Sequence, residues 1–248
     1  MPTDIRKYYR TADKYKRYHP ESERRKEIET LYNTFKKYFG RKILDICCGG
    51  GILGFIVEKD GKSYVGVDIN PDMISLAKEY ARKTRAKKCR FYLVDAKNFL
   101  LNEKFDTITC LGNALCHINV FDWIKIMENI NKMSKKRAYI ILEYRDVVKL
   151  LYEKQWKEVM VYEENNKKWV DLLSGADLKR GEFLKFAFSP ESNETIEFTH
   201  AIWSPFIMRA VMQVLGWEVV EERENPKWQG IIEVYKKEKK HCEFLISN

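Results

Sequence analysis

Between positions 41 and 144, short apolar runs rich in β-branched residues alternate with amphipathic helical patterns, and this alternation restricts the fold more than any other feature. The runs are KILDI, SYVGVD, RFYLVD, FDTITC and AYIILEY. Between them, PDMISLAKEYARKT opens on Pro71 and places Met73, Ile74, Ala77, Tyr80 and Ala81 on one side, and VFDWIKIMENINKM is a second helix pattern. Strands separated by helices pair in parallel through right-handed crossovers, which covers both faces of the sheet.

After Tyr144 the rhythm changes. WKEVMVYE, KWVDLL, EFLKFAF and TIEFTHAIW are strand-like and are separated by turn-rich segments, so residues 156–203 read as antiparallel hairpins. A helix, SPFIMRAVMQVLG, and two strands, WEVVEE and GIIEVYK, then return to the first sheet. The expected class is α/β, a doubly wound, mostly parallel seven-stranded sheet with an antiparallel β insertion. The expected divisions are N-terminal cap helices (1–40), an α/β core (41–155), the insertion or lid (156–203) and a C-terminal helix and strands completing the core sheet (204–248). Ahead of the first strand, Ile28, Leu31, Tyr32, Phe35 and Phe39 recur at helical spacing, so one face of that segment must be buried.

With 45 basic against 36 acidic residues, the +9 charge is a modest excess on a surface rich in both signs. No apolar run approaches the roughly 20 residues of a spanning helix. MPTDIRKYYR lacks the apolar core of a signal peptide, and a cytoplasmic location is the expectation. The six cysteines then read as reduced thiols.

The first strand runs into LDICCGGG, positions 44–51, which is the turn where a doubly wound sheet brings backbone close to a ligand. The second strand ends in Asp68, suited to ribose hydroxyls, and the third in Asp95. Each aspartate alone suits a helix cap; the ordered set of loop, Asp68 and Asp95 points to a ligand carrying ribose and adenine. Asp45 at the end of the first strand would repel a pyrophosphate but suits a ligand that is cationic near the loop. S-adenosylmethionine, with its sulfonium and α-amino group, meets that requirement. A zinc or redox centre on Cys47 and Cys48 lacks a CxxC partner, since Cys89, Cys110, Cys116 and Cys242 are scattered, and no metal is called for.

The loop resembles the first motif of the class I S-adenosylmethionine-dependent methyltransferases, D-x-x-C-G-x-G, with Cys48 at the usual cysteine and Cys47 where glycine or alanine is common. The family implies a Rossmann-like fold. A more specific likeness is CLGNALCH at 110–117, similar to the CLGNSFAH segment of glycine N-methyltransferases and their relatives acting on sarcosine or other small amines; EYRD at 143–146 is similar to their DHRN segment. The resemblance implies that Asp68, with Ile69 beside it, binds the ribose and that Asp95 and the Ala96 amide read the adenine edge. It also implies that the carbonyls of Cys47 and Leu111 hold the methionine amine, in a loop carrying Asp45 and Gly49. Asn113 and Arg145 fall where the family grips the acceptor carboxylate. Tyr9, Tyr15 and Arg24 are candidates for the aromatic and arginine residues that close over the cofactor. Ala114, Leu115, Cys116 and Tyr144 depart from the pattern, so the acceptor need not be glycine.

Bland readings stand beside these. Asn113 also suits the cap of the helix after the fourth strand, Arg145 a surface pair with Asp146 or Glu143, and His117 a polar core or cap position. Trp203, Tyr162 and Phe206 read as lid packing. The functional expectation is methyl transfer from S-adenosylmethionine to a small-molecule acceptor, best read as the amine of a carboxylate-bearing compound. RNA or protein methylation, suggested by RKYYRTADKYKRY and RKTRAKK, and a non-catalytic S-adenosylmethionine-binding protein are the alternatives.

Overall fold

A computed structural model describes residues 19–164, 167–225 and 230–238. Helix α1 (Arg24–Thr34) precedes a βα succession: β1 (Lys42–Ile46), α2 (Ile52–Val57), β2 (Ser63–Asp68), α3 (Pro71–Thr84), β3 (Cys89–Leu93), β4 (Phe105–Cys110), α4 (Val120–Met133) and β5 (Ser134–Arg145). A short helix α5 (Val147–Tyr152), absent from the sequence reading, leads into β6 (Val159–Glu164), β7 (Lys167–Asp177), β8 (Glu182–Ser189) and β9 (Glu194–Ala201). Helix α6 (Pro205–Val214), β10 (Trp217–Asn225) and β11 (Gly230–Lys237) follow.

The main sheet has the order β10-β11-β5-β4-β1-β2-β3. Strands β1 to β5 are mutually parallel, and β11 is antiparallel to both β5 and β10. This is the expected seven-stranded, mostly parallel, Rossmann-like sheet. Alternation along each strand sends its side chains to two different cores. Leu44, Ile46, Ile108, Ile140 and Leu142 pack with Trp123, Ile126 and Met127 of α4 and Met208 and Met212 of α6. Ile43, Ile141 and Val234 face α1, α2 and α3 through Ile28, Leu31, Phe55, Ile56 and Ile74. The helical spacing ahead of the first strand is thus satisfied by burial of Ile28, Leu31, Tyr32, Phe35 and Phe39.

The strand order reverses between β1 and β4, which both leave their carboxyl ends on one edge of the sheet, and ligand crevices form at such a switch point. Facing that edge is a second, wholly antiparallel sheet of order β6-β7-β8-β9, with a small core of Trp169, Ala187 and Phe198. Polar bonds tie this sheet down. Asn119 caps α4 by accepting from the Asp122 amide, while its Nδ2 donates to Glu182 of β8 at 2.9 Å. The buried Trp203 indole donates to the carbonyls of Leu115 and Ile118, at 3.0 and 2.8 Å.

Candidate active site

The β1–α2 loop is shaped by close approach. Cys48 N–H donates to the Val67 carbonyl and Gly51 N–H to the Cys48 carbonyl, which folds the chain back over the end of β2. A Cβ on Gly51, at φ +75°, would lie 2.4 Å from the Phe91 ring, so the third glycine of the motif has a steric reason. Cys47 sits at φ +58°, a region that disfavours any residue with a Cβ. The neighbouring Cys110 thiol and burial raise the Cys47 thiol, and burial raises that of Cys48, so both are protonated at neutral pH.

Asp45 and Asp68 differ in their settings. Asp45 is 5% exposed; its carboxylate accepts from the Tyr64 hydroxyl and the Thr109 hydroxyl, each at 2.6 Å. Burial outweighs those two bonds and pushes its pKa up to about 6. Asp68 accepts backbone N–H bonds from Gly49 and Asn70, both at 2.8 Å, so it clamps the glycine loop to the start of α3. Desolvation raises its pKa against the opposing pull of those amides. Asn70 caps α3 through its Oδ1, while its buried Nδ2 has no acceptor among the described residues. Asp95 accepts from the Lys97 amide at 2.9 Å and caps the turn Ala96–Asn98.

These strand ends open on a cavity of about 870 Å³. Of the predicted cofactor residues, Arg24, Asp45, Cys47, Gly49, Asp68, Ile69, Asp95, Ala96 and Leu111 all line it. Tyr9 and Tyr15 lie outside the described residues. Arg24 is buried and paired with Glu27 and, at 3.2 Å, with Glu143. Glu143 also accepts from the Gly112 amide at 2.6 Å and from Asn225 at 2.8 Å, which joins α1, the β4–α4 loop and β10 around one buried carboxylate.

Asn113 and Arg145 are brought together but do not line the cavity. Asn113 is at φ +60° and makes no helix-capping bond; its Oδ1 accepts from the Arg145 backbone N–H at 3.1 Å. Glu143, offered as a surface partner for Arg145, is instead buried with Arg24. His117 does line the cavity. Trp203 is packing, as read, whereas Phe206 is 66% exposed and packs no lid.

The cavity residues of the antiparallel sheet are not among those expected from sequence. Arg180, Glu182, Leu184, Lys185, Glu197, Phe198 and Thr199 line the far side of the cavity. Glu182 is saturated by Asn119, Arg180 and Thr199, at 2.9, 2.9 and 3.4 Å. The available signal was Lys185, a cation in the middle of the apolar run EFLKFAF.

A parallel sheet with a reversal beside a glycine loop and two strand-end aspartates defines a nucleotide-type site of the class I methyltransferase kind. The profile of the methyltransferase-domain family matches residues 39–195, well over half of the chain, and the protein belongs to that family of S-adenosylmethionine-dependent methyltransferases. It is 30% identical over 132 residues to a ubiquinone biosynthesis O-methyltransferase of Glaesserella parasuis, an alignment covering 46% of this chain and 55% of that protein. The chain thus spans about half the length of this curated relative. Its fold is similar to that of the PH0226 protein of Pyrococcus horikoshii, with a TM-score of 0.71, 23% identity and coverage of 94% and 99% of the two chains. An S-adenosylmethionine-dependent methyltransferase from Clostridium acetobutylicum follows, with a TM-score of 0.69, 16% identity and coverage of 87% and 92%. Among the described residues, no helix is long and apolar enough to cross a membrane.

Proposed function

We propose that the protein transfers the methyl group of S-adenosylmethionine to a small-molecule acceptor, the amine of a carboxylate-bearing compound. The observation that carries this reading is a cavity bounded by the strand-end loops on one side and by the antiparallel sheet on the other. About 870 Å³ lies within the range of small-molecule sites and leaves room beyond a nucleoside for a modest acceptor.

The residues present fit the cofactor. Asp68 spends one lone pair of each oxygen on backbone amides and keeps the others for ribose hydroxyls. Asp95 and the Ala96 amide face the place of the adenine edge. The Cys47 and Leu111 carbonyls offer acceptors to the methionine amine, and Arg24 closes over it. Asp45 places negative charge beneath the loop, opposite a cationic ligand rather than a phosphate. When bound, the sulfonium supplies an electrophilic methyl group. The chain's own task is to align the acceptor, exclude water and let the amine arrive unprotonated, its proton passing to water or a nearby carboxylate. In this reading Asn113 and Arg145 position the acceptor from just outside the cavity lining, with the Asn113 Oδ1 accepting from the Arg145 backbone N–H.

The test is transfer of label from methyl-labelled S-adenosylmethionine into low-molecular-mass, tRNA and protein fractions of a cell extract kept separate. Label in the low-mass pool, lost in Arg145→Lys with S-adenosylmethionine affinity retained, is expected, because lysine cannot reproduce the two-pronged guanidinium–carboxylate contact. Label confined to macromolecules would refute the small-molecule reading.

A further inference from the structure

Lys185 lies on β8 in the row Leu173–Lys185–Phe198, facing the cavity, and is only 5% exposed. It makes no hydrogen bond or ion pair with any described residue; its recorded neighbours are the rings of Phe198 and Trp156, with Nζ 5.6 and 5.9 Å from their centroids. Ring faces attract a cation, yet far less than burial costs it, so an ammonium in this setting is incomplete. Desolvation accordingly lowers its pKa, opposed chiefly by Asp171. Asp171 is itself buried on β7 and takes the Tyr162 hydroxyl at 3.1 Å.

The surrounding charges do not complete it. Arg145, at the end of β5, repels it. His200 on β9, edge-on to Trp156 at 5.0 Å, is held neutral by burial and by the His117, Lys185 and Arg145 charges. Of the acids elsewhere on the cavity wall, Glu182 pairs with Arg180 and Asp122 with Lys97, Asp177 accepts from the Lys179 and Arg180 amides, and Glu197 stands one register position away from the Lys185–Phe198 row. The cavity therefore combines a buried cation that makes no ion pair with any described residue, Asp171 acting on it only at longer range, with space beside it.

We propose that Lys185 is the anion-binding residue of the acceptor site, its ammonium receiving a carboxylate of the methyl acceptor between the Trp156 and Phe198 rings. This rests on the methyltransferase reading for the identity of the acceptor, but the binding itself does not need the cofactor. It adds a cation on the cavity wall to the acceptor role of Arg145, whose charge reaches the same pocket.

The experiment is calorimetric titration of acetate and benzoate against acetamide and benzamide, with and without saturating S-adenosylhomocysteine, on the wild type and on Lys185→Met. The expected result is at least tenfold tighter binding of one carboxylate than of its matched amide, abolished in Lys185→Met, with S-adenosylhomocysteine affinity within twofold of wild type. Carboxylate and amide binding alike, no binding of either, or a preference that survives Lys185→Met would overturn the proposal. Thermal melting adds a second readout: removing an unpaired buried charge should leave Lys185→Met melting at or above wild type. A fall of more than about 5 °C would mean that the ammonium is paired within the fold, and would also overturn it. Failure of S-adenosylhomocysteine to bind the wild type would instead refute the cofactor assignment, leaving the carboxylate preference to be judged from the titrations without it.

Discussion

At the loop end of the cavity the buried carboxylates Asp45 and Asp68 are met by donors from the chain, whereas at the antiparallel-sheet end the Lys185 ammonium, among the described residues, contacts aromatic rings and makes no ion pair, with Asp171 acting at longer range. The loop end is preorganised by bonds that need no ligand: Asp68 and Glu143 hold the β1–α2 and β4–α4 loops, and Asp45 holds side chains of β2 and β4. The far end leaves part of its polar surface to be completed. In the proposed function, one half of the site serves a fixed cofactor and the other a molecule whose own charge finishes the pocket.

The largest expected effect falls on the preorganised half. Glu143→Ala removes the acceptor shared by Arg24, the Gly112 amide and Asn225, leaving a guanidinium buried without its distant partner. Breaking a buried pair in this way costs about 3–5 kcal/mol. At roughly 2–4 °C per kcal/mol for a chain of this size, the melting temperature should fall by about 10 °C. A variant melting with the wild type would show that the loop end is no better braced than the far end.

Asp68→Ala should follow. It deletes a carboxylate that clamps Gly49 to Asn70 and, in the proposed function, receives the ribose. Charge-assisted bonds are worth about 1.5–3 kcal/mol each, so S-adenosylmethionine affinity should drop by about 100-fold in calorimetry on metal-stripped protein. Unchanged affinity would remove Asp68 from the cofactor site.

How much of this contrast could be read in advance follows from the range of the interactions. The loop end was legible because a strand, a glycine turn and a strand-end acid are local: Asp45, Cys47, Gly49, Asp68 and Asp95 declare their places within 51 residues. The bracing around Arg24 was not, since its partner Glu143 lies 119 positions away and only the folded sheet brings them together. Lys185 was hidden for another reason. In EFLKFAF both alternating sets are apolar, Phe183 and Ala187 on one side and Leu184, Phe186 and Phe188 on the other, so periodicity does not say which face is buried. The short helix α5 is only six residues long, too brief for its periodicity to stand out from the adjoining strand.

A smaller effect would sharpen the comparison from the other side. Glu182→Gln weakens the junction of Asn119, Arg180 and Thr199 that ties β8 to α4 and β9. Losing the charge from such a bonded group costs about 1–3 kcal/mol. Hydrogen exchange should quicken in β8 and β9 while β1 and β4 stay protected. Equal quickening in both sheets would mean that they open as one unit and that the antiparallel sheet is not the more adaptable wall.

The smallest effect concerns Asp45, where charge and burial conflict most openly. Its folded pKa of about 6 lies above the ordinary 3.8, so ionising it works against folding: its stability contribution is fully present below pH 3.8 and is lost as pH rises through 6. A cationic ligand over the loop reverses the balance, because it favours the carboxylate and lowers this pKa in the complex. Binding must then release a proton at pH values below 6, and affinity for S-adenosylmethionine should rise with pH up to about 6 and level off above it. From pH 7 to pH 5 the loss is about tenfold, which corresponds to about 1.4 kcal/mol. Burial also raises the pKa of Asp68, so the decisive measurement is the difference between wild type and Asp45→Asn. Calorimetry in buffers of unlike ionisation enthalpy should show proton release at pH 5.5 in the wild type and less of it in the variant, whose pH profile flattens. An identical profile in the two proteins would mean that the acid beneath the loop does not sense the ligand's charge, and the electrostatic case for a sulfonium rather than a phosphate at this turn would fail.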